Sequence, residues 1–61
     1  MSLVRFDIRP DQDGWTVYDR RTDRPATVEG HETVGLPRDE ADDIADLLNT
    51  LAVLERQRSV H

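Results

Sequence analysis

The sequence predicts a small α+β fold, an antiparallel three-stranded sheet in β-β-β-α order with one C-terminal helix packed on one face. Three observations carry that reading. Val4, Phe6 and Ile8 alternate with Arg5, Asp7 and Arg9, and after an acidic turn ending in Gly14 comes Trp15-Thr16-Val17, the pattern of a β-hairpin. Pro25, Gly30 and Gly35 punctuate the middle of the chain, as turn and strand-end residues do. Beyond Pro37, apolar residues recur at spacings of three and four, the period of one face of an α-helix.

Taken in order, the first strand is expected over residues 3–9, with Val4, Phe6 and Ile8 buried and Leu3, Arg5, Asp7 and Arg9 facing water. Pro10 to Gly14 supplies the reversal through a fixed φ at Pro10, aspartates that cap local N–H groups, and a positive φ at Gly14. The second strand, 15–19, places Trp15 and Val17 on one face and Thr16 and Tyr18 on the other, with Trp15 beside Ile8 or Phe6. Arg20 to Pro25 reads as a second turn leading to a third strand at 26–29, closed by Gly30. A further extended segment at 32–35, reached through a bulge, feeds the helix.

Pro37 suits the first helical position, where its missing N–H would be unpaired anyway. Acidic Asp39, Glu40, Asp42 and Asp43 follow at the positive end of the helix dipole, and Arg56 and Arg58 lie near the negative end, so a helix over 37–56 and a tail over 57–61 are expected. Ala41, Ile44, Ala45, Leu48, Leu51 and Ala52 form the face assigned to the sheet. Leu47 and Leu54 lie seven residues apart at the edge of that face, either covering the sheet's flank or offering a contact to a second subunit or a partner. Tyr18 points to the sheet face that no helix remains to cover, which an antiparallel sheet tolerates as a wet face.

With 61 residues the chain forms one domain, and at this size only about 60% of the unfolded chain's surface is buried on folding, so stability is expected to be marginal. No cysteine is present, so neither a disulfide nor a thiolate zinc site staples the core. Thirteen acidic and eight basic residues leave a net charge of -5, which repels phosphate backbones and anionic membranes at long range; no nucleic-acid or membrane partner is expected. All eight basic residues are arginine. Without lysine, Schiff-base catalysis and P-loop phosphate binding have no amine to use. A GC-rich genome accounts for that bias, with a salt-adapted host as the alternative. Neither a leader-like pattern nor an apolar stretch of about 20 residues is present, so a soluble, cytoplasmic protein is expected. Met1-Ser2-Leu3 precedes the amphipathic pattern and has the look of an expression-vector remnant.

Residues able to carry chemistry are few. Asp11-Gln12-Asp13-Gly14 resembles the start of a calcium loop, but the fifth and twelfth positions are Trp15 and Thr22, where the EF-hand needs an oxygen ligand and a bidentate glutamate. Asp39, Asp43 and Asp46 share one helix face, and Asp42 lies four residues before Asp46. These carboxylates read as a solvated face or an electrostatic contact for a basic partner protein. His31 beside Glu32 is the residual enzymatic or metal-binding option. His61 is terminal, and the serines, Ser2 and Ser59, lie at the two ends, so no nucleophilic triad can be assembled. No catalytic residue, metal ligand or cofactor is assigned. The candidate interaction surface comprises Leu47, Leu54, Tyr18, Asp39, Asp42, Asp43 and Asp46, serving a homodimer or an unidentified protein.

The stretch Phe6-Asp7-Ile8-Arg9-Pro10-Asp11-Gln12-Asp13-Gly14-Trp15-Thr16-Val17, followed by Gly35-Leu36-Pro37-Arg38-Asp39-Glu40-Ala41, resembles small uncharacterised bacterial domains of β-β-β-α order. It is distantly similar to the N-terminal, toxin-facing domain of HicB-type antitoxins, over about Phe6 to Leu48. The resemblance implies a fold and an interaction role, an inhibitor that presents its acidic helix to a basic enzyme, and carries no catalytic residue across. The chain departs from that pattern in lacking the Pro-Gly-Cys segment before the helix and a C-terminal DNA-binding portion, so no autoregulation is expected.

Overall fold

A computed structural model describes residues 4–59. The fold is α+β. Strands β1 (Phe6–Pro10), β2 (Trp15–Asp19) and β3 (Arg24–Pro25) form an antiparallel sheet in the order β1-β2-β3. Strands β4 (Thr27–Val28) and β5 (His31–Glu32) form a separate two-stranded ribbon, and helix α1 (Arg38–Ser59) closes the chain.

The hairpin register pairs Phe6 with Asp19, Ile8 with Val17 and Pro10 with Trp15. Trp15 therefore sits beside Pro10 rather than beside Ile8 or Phe6. Pro10 belongs to β1 and not to the turn. β1 is an edge strand, and an edge position whose N–H would point outward tolerates a residue that has none. The loop is Asp11 to Gly14, closed by the Asp11 N–H on the Gly14 carbonyl at 2.8 Å.

β1 also starts later than the alternation predicts, at Phe6, and Val4 is 46% exposed. Leu3 lies outside the described residues. One bond continues beyond the strand, from the Arg20 N–H to the Arg5 carbonyl at 2.8 Å, before the turn at 20–23, in which the Asp19 carbonyl accepts from the N–H groups of Thr22 and Asp23 at 3.2 and 2.7 Å, carries the chain away from β1. Arg5 and Arg9, expected in water, are half-buried: Arg5 lies 5.1 Å from the Phe6 ring centroid and Arg9 4.4 Å from that of Tyr18, as amphipathic arginine stems do.

A single third strand at 26–29 does not form. Tyr18 pairs with Pro25 and Asp19 with Arg24, Ala26 N–H bonds the Val17 carbonyl at 2.8 Å, and the chain then leaves the sheet. Thr27 pairs with Glu32 and Val28 with His31, leaving Glu29 and Gly30 as a two-residue loop with φ of 52° and 80°. Two consecutive positive φ values match the twist of the flanking strands. The chain returns to β2 at Thr33, whose carbonyl accepts from Val17 N–H at 2.9 Å, and at Leu36, which exchanges two bonds with Trp15 at 2.8 and 2.9 Å. β2 is thus paired along both edges, by β1 on one and by a neighbour broken in two on the other.

α1 begins at Arg38, one residue after the expected position, with the Pro37 carbonyl accepting from Ala41 N–H at 2.9 Å. It continues to Ser59 rather than stopping near Arg56, since Arg56, Gln57 and Arg58 are good helix formers. Of the expected tail, Val60 and His61 lie outside the described residues. Val17, Ala26, Ala41 and Ala45 are buried, with Phe6, Ile8, Trp15, Leu36, Ile44 and Leu48 packed against them. Val17 is the one fully buried large side chain among the described residues, a small core for a small chain.

Candidate functional site

α1 has two apolar faces. Ala41, Ala45 and Leu48 meet the sheet. Leu47, Leu51 and Leu54 are exposed by 58, 49 and 51% and, at spacings of four and three, lie on one stripe along the flank. Leu51, expected against the sheet, joins Leu47 and Leu54 instead. On a helical wheel it stands about 100° from the Ala41, Ala45 and Ala52 direction, and a three-stranded sheet is too narrow to reach it.

The opposite flank of α1 is fixed to the sheet edge by a side chain that the sequence pattern did not single out. Asn49 Oδ1 accepts from the Arg5 and Phe6 N–H groups at 2.9 and 2.7 Å, and its Nδ2 donates to the Phe6 carbonyl at 2.9 Å. The carboxamide takes the place of a neighbouring strand. The outward Ile8 N–H bonds Asp7 Oδ1 at 2.8 Å, and Pro10 has no N–H. The free edge of β1 is therefore blunted along its length, which discourages strand addition there. A polar Asn in the middle of a helix, flanked by Ala45, Leu48 and Ala52, was the available signal.

Asp11 closes the hairpin. Oδ1 accepts from the N–H groups of Asp13 and Gly14 at 2.8 and 2.6 Å, and Oδ2 from Thr16 Oγ1 at 2.5 Å and Gly35 N–H at 2.8 Å. These donors, the Thr16 hydroxyl first and then Gly35, lower its pKa from 3.8 to about 2. Both carboxylate oxygens are committed to protein donors, so the calcium-loop resemblance reduces to a structural turn. Asp19 is buried; its Oδ2 accepts from Arg5 Nη2 and Nε at 2.9 and 3.2 Å and its Oδ1 from Arg21 N–H at 2.9 Å. The Arg5 hydrogen bonds hold its pKa below the ordinary 3.8. Thr33 Oγ1 donates within reach of the Val17 and Ala26 carbonyls, at 3.1 and 3.0 Å, and joins the two halves of the broken strand.

Asp39, Asp42, Asp43 and Asp46 are all exposed on α1, and none of them enters an ion pair among the described residues. Tyr18 lies on the sheet face opposite α1, half-buried beneath Arg9, whose Nη1 meets Asp23 Oδ1 at 3.0 Å. The expected surface residues thus fall in three separate places: the leucine flank, the acidic helix start and the outer sheet face. His31 and Glu32 are exposed on β5. Among the described residues no three His, Asp or Glu side chains converge on a metal position, and no helix is long and apolar enough to cross a membrane. No protein-family model, curated protein or solved structure matches this chain.

Proposed function

We propose that this chain is a non-catalytic protein-association module whose contact surface is the Leu47, Leu51 and Leu54 flank of α1. The observation that carries the reading is the exposure of those three leucines on one helical stripe. Leucines scattered singly on a surface need no explanation, whereas a contiguous apolar stripe rimmed by charge marks an interaction site. Asp11, Asp19 and Arg5, whose pKa values are displaced, are all engaged in holding the hairpin. Replacing Leu47 and Leu54 with aspartate is expected to abolish association, read as solution mass and as capture of a partner from source-cell lysate. If both are unchanged in a folded variant, the reading is wrong.

A second reading, an inhibitor that presents its acidic helix start to a basic enzyme, draws support from Asp39, Asp42, Asp43 and Asp46, which are exposed and enter no ion pair among the described residues. Capture led by charge weakens as the Debye length shrinks to about 3 Å at 1 M salt, while capture by the leucine flank persists.

A further inference from the structure

The leucine flank belongs to a longer series. Glu40, Ile44, Leu47, Leu51, Leu54 and Arg58 follow one another at spacings of four, three, four, three and four, the a/d pattern of a coiled-coil seam with apolar residues in the middle and opposite charges at its two ends. The seam is separate from the sheet-facing series, sharing with the core only the edge residue Ile44.

We propose, building on the association reading above, that the occupant of this flank is the same flank of a second copy, paired antiparallel about a two-fold axis. The charge pattern selects that geometry. One antiparallel register places Ile44 against the partner's Leu54, Leu47 against the partner's Leu51, and Glu40 against the partner's Arg58. Every central layer is then apolar, and two-fold symmetry closes both ends with an opposite-charge pair. A parallel pair would instead face Glu40 with Glu40 and Arg58 with Arg58, like charges in both end layers.

The residues flanking the seam agree with the register. Asp43 falls near the partner's Gln57, and Thr50 near its own symmetry mate, so no like charges meet across that side. The distribution of charge over the molecule favours the same arrangement. Trp15 carries Arg38 over its ring at 5.0 Å, while Asn49 holds Arg5 and Phe6 at the other end of the hairpin. α1 therefore starts at the Trp15 end of the sheet and extends past the Asp19 end. Exposed Asp39, Glu40, Asp42, Asp43 and Asp46 cluster at its start. Arg20, Arg21 and Arg24 are exposed in the turn and strand that follow β2, toward which Arg56 and Arg58 extend. Antiparallel pairing sets the acidic end of one protomer beside the basic end of the other and opposes the helix dipoles. Two heptads make a small interface, below roughly 1,200 Å², so the dimer is weak and concentration-dependent.

The test uses the full chain, which has no cysteine of its own. Glu40→Cys and Arg58→Cys variants are oxidised separately and as a mixture. The expected result is a covalent heterodimer in the mixture and none in either variant alone, because equivalent positions 40 lie about 27 Å apart in an antiparallel pair. Disulfide formation within the Glu40→Cys variant alone means a parallel pair and overturns the proposal while leaving the association surface intact.

Light scattering gives the second measurement. Glu40→Arg or Arg58→Glu alone weakens the dimer roughly tenfold, counting both symmetric pairs, and the double exchange restores it. Failure of the double exchange to restore it overturns the register. A wild-type monomer at the highest concentration reachable overturns self-pairing; if partner capture is then still lost in Leu47→Asp/Leu54→Asp, the association surface survives. A dimer and a capture that are both indifferent to those aspartates overturn the two readings together.

Discussion

Asp11 shows how much of the hairpin hangs on one side chain. Its carboxylate gathers two N–H groups of its own turn, the Thr16 hydroxyl and Gly35 N–H, so it ties the β1–β2 loop to the segment that leads into the helix. Its pKa is lowered to about 2 from 3.8, and that of Asp19 is lowered as well. For a group depressed on folding, the stabilisation is fully present above the unfolded pKa and is lost as pH falls through the folded one. Acid unfolding followed by circular dichroism should therefore steepen as pH drops from about 3.8 toward 2. In Asp11→Asn that steepening should shrink, the contribution of Asp19 being retained.

Gly14 and Asn49 act at the same scale. A Cβ on Gly14 would lie 2.6 Å from the Leu36 carbonyl oxygen and 3.0 Å from the Gly35 carbonyl carbon. The positive φ expected at Gly14 is not observed, since the glycines with positive φ are Gly30 and Gly35; Gly14 is required by the close approach of another backbone. Gly14→Ala should destabilise by about 1–3 kcal/mol, as overpacking does, measured by urea unfolding. Asn49→Ala removes three hydrogen bonds and uncovers two strand N–H groups, an expected loss of about 2 kcal/mol. A smaller loss would mean that water replaces the carboxamide at the strand edge.

At the scale of elements, the β4–β5 ribbon carries a local conflict. Glu29 has φ of 52° beside Gly30 at 80°, and a left-handed conformation disfavours an ordinary L-residue by roughly 1–2 kcal/mol. Asn adopts it more readily and is the residue common hairpins place there. Glu29→Asn should raise the unfolding free energy by up to about 1 kcal/mol; no gain in denaturant midpoint would place the strain elsewhere. The central strand shows the opposite economy. β2 is bonded by β1 on one edge and by 24–26 and 33–36 on the other, with Thr33 bridging the break through its hydroxyl. A sheet of such short strands holds together because its middle strand is satisfied on both sides.

At the scale of the molecule, one fully buried large side chain and three buried alanines among the described residues make a thin core. A chain of 61 residues with so little inside gains appreciably from any binding that the folded state alone can make. The melting temperature of the wild type should rise with protein concentration, whereas Leu54→Gln should melt independently of it. Because Leu54 is 51% exposed, its replacement should leave the unfolding free energy of the monomer within about 0.5 kcal/mol. Calorimetry over a range of concentrations separates the two effects.

What the sequence determined by itself is local in origin. Alternation in Val4 to Arg9, the acidic turn ending in Gly14, and the three- and four-residue spacing beyond Pro37 act over a few residues, and they specified the hairpin, the helix and the α+β class. The tertiary structure alone decided which long-range partner each group found. Asn49 against β1, Gly35 on the Asp11 carboxylate and the break of the third strand into pieces bring together residues between 7 and 44 apart in the chain, and no short-range pattern encodes such pairs. Leu51 changed faces for the same reason. Helical periodicity states which residues share a side, whereas the width of the sheet beneath decides where the core ends and the free flank begins.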